Sequence, residues 1–112
     1  MEFLSDEWYD AANRALQGVD TGHADVSVAY VFDKSSHCIV LANGGAYVSR
    51  EVESPDVTLH QTKDVAEALR TGSLSALTAI QEGLIAVEGD LALLLHAKEA
   101  LATVDQALVN LA

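Results

Sequence analysis

The chain has 112 residues, of which 50% are hydrophobic, and a formal net charge of −11. This length suits one domain spanning residues 1–112, and the apolar half argues against disorder. The acidic balance excludes nucleic acid and anionic lipid surfaces as electrostatic partners, because Lys and Arg hold both.

The aromatic residues are Phe3, Trp8, Tyr9, Tyr30, Phe32 and Tyr47, so most of the core must come from Ala, Val, Leu and Ile. Such small aliphatic side chains can line a cavity without filling it. Cys38 is the single cysteine and permits no intramolecular disulfide. The opening residues lack the basic flank and apolar run of a secretion signal. The longest apolar run, Leu91 to Leu95, is far short of a membrane span. The expected compartment is the cytoplasm, without stable membrane insertion.

The first helix is expected from about Asp6 to Gln17, with Ser5 as N-cap and Asp6 and Glu7 in the first turn. Leu4 and Tyr9 have the spacing of a hydrophobic staple, and Trp8, Ala11, Ala12, Ala15 and Val19 mark the buried face. Val26, Val28, Tyr30 and Phe32 then alternate as a half-buried strand. After a turn at Asp33 to Ser36, a second strand is expected at His37–Ala42, and Asn43-Gly44-Gly45 signals a hairpin into a third at Ala46–Val52. Pro55-Asp56 breaks the run before a fourth strand at Val57–Gln61, with Val57 and Leu59 on one face.

Thr62 caps a helix carrying Val65, Ala66 and Leu69 and ending at Gly72. Ser73 or Ser75 caps a short helix carrying Leu77 and Ile80 and ending near Gly83. A fifth strand, Leu84–Glu88, arrives after this helical crossover and can pair parallel to its neighbour. Asp90 caps an apolar helix over 91–101, and Thr103-Val104-Asp105-Gln106 reads as a capping box opening a last helix with the stripe Val104, Leu108 and Leu111. Hairpin-linked strands covered by helices make an α+β pattern.

Catalytic constellations are not evident. No Gly-rich phosphate loop occurs. His37 and Cys38 are adjacent on a strand and so point to opposite faces, out of the reach that nucleophilic catalysis needs. His23, His37, His60 and His96 lack the one-turn spacing of helical metal ligands, and no Cys pair supports them. The expectation is a protein that is not an enzyme and uses no metal or cofactor. The helix at 91–101 is apolar beyond a single stripe, so it is buried on several sides or faces a ligand or partner.

Asp56-Val57-Thr58-Leu59, Leu69-Arg70-Thr71-Gly72, Leu74 to Ile80, and Gly83 to Asp90, in that order and spacing, resemble the sterol carrier protein 2 family. Leu4-Ser5-Asp6-Glu7-Trp8 is similar to the start of its bacterial single-domain members. The resemblance covers nearly the whole chain and is most specific between Pro55 and Leu95. It implies a five-stranded, mostly antiparallel sheet covered by about five helices, with an apolar tunnel between the layers. It also implies binding and transfer of a lipid-like ligand: a fatty acid, acyl-CoA, phospholipid or sterol-like molecule. The sequence departs from the family pattern at Ala76, where Pro is usual, at Glu82, where Gln is frequent, and at Leu84 and Ala86, where Lys is usual.

The residues expected to line the cavity are Leu77, Ile80, Leu84, Leu94, Leu95, Leu101, Val104 and Leu108. Ile80, Leu94 and Leu95 match family helix positions, and the tail residues follow from their helical stripe. The alternative reading is an accessory protein that uses the same fold to form a homodimer or to dock on an enzyme. The apolar pair Leu84 and Ala86 on an outward strand face supports it, since another surface would then cover them.

Overall fold

The computed structural model describes residues 4–32, 35–109 and 111, and only the backbone of residues 76 and 77. The elements in chain order are α1 (Asp6–Leu16), β1 (Val26–Phe32), β2 (Ser35–Ala42), β3 (Gly45–Ser49), β4 (Val57–Gln61), α2 (Lys63–Thr71), α3 (Ala76–Gln81), β5 (Ala86–Gly89), α4 (Leu91–His96) and α5 (Lys98–Val109). The strands form one mixed sheet in the order β3-β2-β1-β4-β5, so the architecture is α+β as expected. The turn expected at Asp33 and Lys34 lies outside the described residues, and β2 already includes Ser35 and Ser36. No helix among the described residues is long and apolar enough to cross a membrane.

Local chemistry sets most of the boundaries. Side-chain oxygens of Ser5, Thr62, Ser75 and Asp90 accept hydrogen bonds from the N–H groups of Trp8, Val65, Thr78 and Leu93. Each satisfies one of the donors that a helix start leaves without a partner. Asn43 and Gly44 both have positive φ, 55° and 80°, which a tight two-residue hairpin between β2 and β3 requires. In α1 the buried stripe is Trp8, Tyr9, Ala12 and Leu16, so Leu16 joins the face read from the sequence.

The tail divides at a different place from the one expected. The break falls at Ala97, whose N–H is shared between the carbonyls of Leu93 and Leu94. Thr103 opens no helix; its hydroxyl donates back to the Glu99 carbonyl at 3.0 Å, within α5. A threonine can satisfy itself this way in mid-helix, which removes its value as a cap.

The fifth strand also departs from expectation. β5 runs antiparallel to β4, with Ala86 opposite His60, because the α2–α3 excursion returns the chain beside the end of β4. The parallel joint is between β1 and β4, with Val28 opposite Val57. Residues 50–56, with a reach of roughly 23 Å when extended, carry the chain from β3 back to the start of β4.

The register sorts the sheet into two faces. Val48, Ile39, Val28 and Val57 form one row, and His37, Tyr30, Leu59 and Val87 the next. These rows join Trp8, Ala12 and Leu16 of α1, Leu94 of α4, and Leu101 and Val104 of α5 in one core. On the opposite face Tyr47 is 51% exposed, and His60 and Glu88 pair at 2.9 Å. There the crossing segment covers part of the sheet, and the Val52 backbone hydrogen-bonds the Cys38 thiol. Asn13 of α1 accepts from Val48 N–H at 2.8 Å and donates to its carbonyl at 3.2 Å, which occupies the open edge of β3.

Asp56 ties the parallel joint together. Its carboxylate accepts from Ser27 N–H at 3.0 Å, and its own N–H donates to the Ser27 carbonyl at 3.0 Å. Its carbonyl accepts from Asp90 N–H at 3.1 Å, at the start of α4. Gly89 sits against this junction with φ +106°, and a Cβ there would lie 2.4 Å from the Asp56 carbonyl oxygen. Gly18 also has positive φ, +81°, but a Cβ there would meet nothing within 4 Å. Gly18→Ala should therefore cost only the backbone strain of about 1–2 kcal/mol. Gly89→Ala should cost clearly more, because strand backbone must also move. Urea denaturation of both variants checks this, and equal losses would show that the Asp56 contact can yield freely.

Candidate functional site

The sheet carries Tyr30 to its inner face, and α5 lays Leu101, Val104, Asp105 and Leu108 over it at helical spacing. Between these surfaces are two cavities that share Tyr30 and Asp105. The larger has a volume of about 320 Å³, within the range of roughly 300–1,000 Å³ typical of small-molecule sites. Its buried wall is Tyr30, Leu94 and Leu101, and its outer wall has exposed Ser75, Lys98, Glu99 and Ala102. The smaller, about 50 Å³, lies among Trp8, His37, Ile39, Gln61, Leu69 and Leu108.

The residues expected to line a cavity divide accordingly. Ile80, Leu94 and Leu101 line the larger cavity, and Leu108 lines the smaller. Val104 is fully buried in the core. Leu84 and Leu95 are 44% and 42% exposed, and neither borders these two cavities. Leu84 precedes β5 and sits in the turn after α3, where its N–H donates to the Ala79 carbonyl at 2.8 Å. It therefore belongs to no outward strand face, although Ala86 does and is exposed. The Leu77 side chain lies outside the described residues.

Sequence reasoning missed Tyr30 and Asp105 as site residues. Tyr30 is one of an alternating set in β1. Asp105 falls inside the supposed capping box, although its spacing from Leu101 and Leu108 is a signal that could have found it.

Burial governs the electrostatics of this wall. It pushes the Asp105 carboxyl up to about 6 and holds His37 down at about 4, so the imidazole is neutral. Burial, and secondarily the charge of Asp105, moves the Tyr30 hydroxyl well above its ordinary range. His37 is stacked on Tyr30 with ring centroids 5.1 Å apart and meets Trp8 edge-on at 5.9 Å. Gln61 Oε1 is buried with no hydrogen-bond partner among the described residues. Arg70 on the smaller cavity forms an ion pair with Glu67. Cys38 faces away from His37, across the sheet. Among the described residues no group of three or more His, Cys, Asp or Glu could hold a metal.

Asp105 gives a stability test. Its folded pKa is raised, so its contribution is fully present below the unfolded value of 3.8 and is lost as pH rises through about 6. Asp105→Asn stays neutral throughout. It should be more stable than the parent by about 3 kcal/mol near pH 7.5 and should show no such advantage near pH 4. Urea titrations at both pH values measure the difference, and one that did not change with pH would contradict the burial of this carboxyl.

The sequence profile of the SCP-2 sterol transfer family matches residues 5–102. A search of curated protein sequences finds no match. Among solved structures, a conserved hypothetical protein from Thermus thermophilus superposes with a TM-score of 0.75 at 19% identity, covering 100% of this chain and 91% of that one. Sterol carrier protein 2 from Yarrowia lipolytica gives 0.63 at 18% identity, with 96% and 98% covered. Palmitated SCP2L2 from Aedes aegypti gives 0.61 at 19% identity, with 89% and 95% covered. At these identities the structural likeness speaks for the fold alone. The profile match extends from the N-cap of α1 into the middle of α5 and takes in all the strands, and on that ground the chain belongs to the SCP-2 sterol transfer family.

Proposed function

We propose that this chain binds a lipid-like molecule in the cavity beneath α5 and acts as a carrier for it. The observation that carries this reading is the cavity of about 320 Å³ with an apolar buried wall and a polar outer wall. Burying a hydrocarbon chain there is worth about 0.8 kcal/mol for each methylene taken from water, and polar groups at one end would orient it. Membership of the family supports lipid binding in general, and the palmitated Aedes aegypti protein is a relative by fold that carries such a ligand. Ile80, Leu94 and Leu101 are the proposed lining, with Leu108 on the inner extension towards Trp8. Leu77 is included on the family resemblance.

An accessory role through protein contact is the second reading. Leu84, Leu91 and Leu95 favour it, since each is more than 40% exposed. A mass in solution that rises with concentration would support this reading.

The carrier reading is tested with diphenylhexatriene, a neutral dye that fluoresces in apolar surroundings, together with native mass spectrometry of the purified chain. Dye uptake should saturate at one site per chain. Ala102→Trp, an exposed helical position on the cavity wall, should weaken it by about tenfold or more, equivalent to about 1.4 kcal/mol. A chain that takes up no dye and releases no apolar molecule on denaturation would overturn the reading.

A further inference from the structure

Resting on the carrier reading, we propose that Tyr30 and Asp105 set the chain length this site accepts: they form a partition across the space beneath α5, so the cavity takes one straight hydrocarbon chain and registers only about ten of its carbons. Among the described residues these two alone line both cavities, so they stand between them. The floor of the partition is fixed. Tyr30 lies between His37 of β2 and Leu59 of β4, is 5% exposed, and has its ring stacked on His37 with the planes 12° apart. The roof is fixed as well. Val104, beside Asp105 in α5, is fully buried. One turn on, Val109 packs against the left-handed cap of α2, where a Cβ on Gly72 would lie 3.1 Å from its side chain. α5 is therefore held down on both sides of Asp105, and the reach of that side chain decides whether the two spaces connect.

The volumes set the length. The larger cavity, about 320 Å³, has room for roughly ten water-sized groups, and the smaller, about 50 Å³, for roughly two, since each such group takes about 30 Å³. One chain fills the larger space and leaves none for a second. The mouth fixes the direction. Ser75, Lys98, Glu99 and Ala102 on the outer wall are exposed, so a polar head stays with them in water and the methyl end runs inward to the partition. Carbons beyond about ten then remain outside the mouth, where they gain nothing from burial. Behind the partition, the smaller cavity has apolar walls from Trp8, Ile39, Leu69 and Leu108. It also has Gln61 Oε1, buried without a hydrogen-bond partner among the described residues. Hydrocarbon reaching this inner space would gain less per carbon than in the larger cavity, because it leaves that oxygen unsatisfied.

The test is titration calorimetry of the full chain near neutral pH with straight-chain alkanoates from hexanoate to hexadecanoate, each below its aggregation limit. Affinity should rise about fourfold for each methylene up to decanoate and level off beyond it. In Asp105→Ala the rise should continue to dodecanoate, at about two- to threefold for each added carbon. Asp105→Asn keeps the length of the side chain and should leave the break at decanoate, whatever its effect on overall affinity. Trp8, the one tryptophan of the chain, reports on the inner space. Dodecanoate brominated at its terminal carbon should quench Trp8 fluorescence in Asp105→Ala and leave it nearly unchanged in the parent. The length profile of the parent chain stands without either variant. Affinity that climbs unbroken to hexadecanoate, quenching of Trp8 in the parent, or a break that responds alike to Asp105→Ala and Asp105→Asn overturns the partition and leaves the cavity reading intact. A chain that binds neither the dye nor any alkanoate overturns the cavity reading, and the partition falls with it.

Discussion

Asp56 joins parts of the chain that no short hairpin could bring together. β1 and β4 are parallel neighbours separated by two other strands in sequence, so nothing local sets their register. The reciprocal bonds between Ser27 and Asp56 set it. The same residue receives Asp90 N–H, and Asp90 caps α4. The position of α4, and through Ala97 that of α5, is therefore referred back to the centre of the sheet. The cavity wall contributed by Leu94 and Leu101 depends on that placement.

The cavity exists because the covering layer is built from short, aliphatic pieces. α4 has 6 residues, and only Leu94 of its leucines is fully buried. α5 brings Leu101 and Val104 into the core but no ring large enough to fill the space beside Tyr30. On the other side His37 stacks on Tyr30 and meets Trp8 edge-on, and this aromatic group fixes the floor. A rigid floor beneath a loosely filled roof leaves a space of ligand size that opens to solvent past Ser75, Lys98, Glu99 and Ala102. Placing Asp105 in the roof adds a polar demand to an apolar space.

Much of this was legible in the sequence, for identifiable reasons. Ser5, Thr62 and Asp90 cap where they were expected to, because a side-chain oxygen at a helix start satisfies a donor locally. The alternation of β1 and the Asn43-Gly44 turn are likewise local signals. The break at Ala97 was not legible, since alanine is the best helix former and only packing against the sheet interrupts the helix there. Thr103 misled because a capping pattern is equally compatible with back-bonding in mid-helix. Asp105 and Tyr30 meet through the fold, at a sequence separation that no periodicity links. Leu84 reads as a strand residue, yet an α3 turn bond holds it before β5 begins.

The opposed shifts of His37 and Asp105 have a consequence for proton counting. Between about pH 4 and pH 6 the folded chain keeps a proton on Asp105 and none on His37. The unfolded chain over the same interval holds the reverse, with the imidazole protonated and the carboxyl ionised. Folding thus moves one proton from base to acid and leaves the number bound at this pair unchanged. Because the pH slope of stability follows the difference in bound protons, mild acidification leaves this pair's contribution nearly level while it neutralises the charge on the cavity wall. The wall can change its polarity with the medium without the fold registering the change.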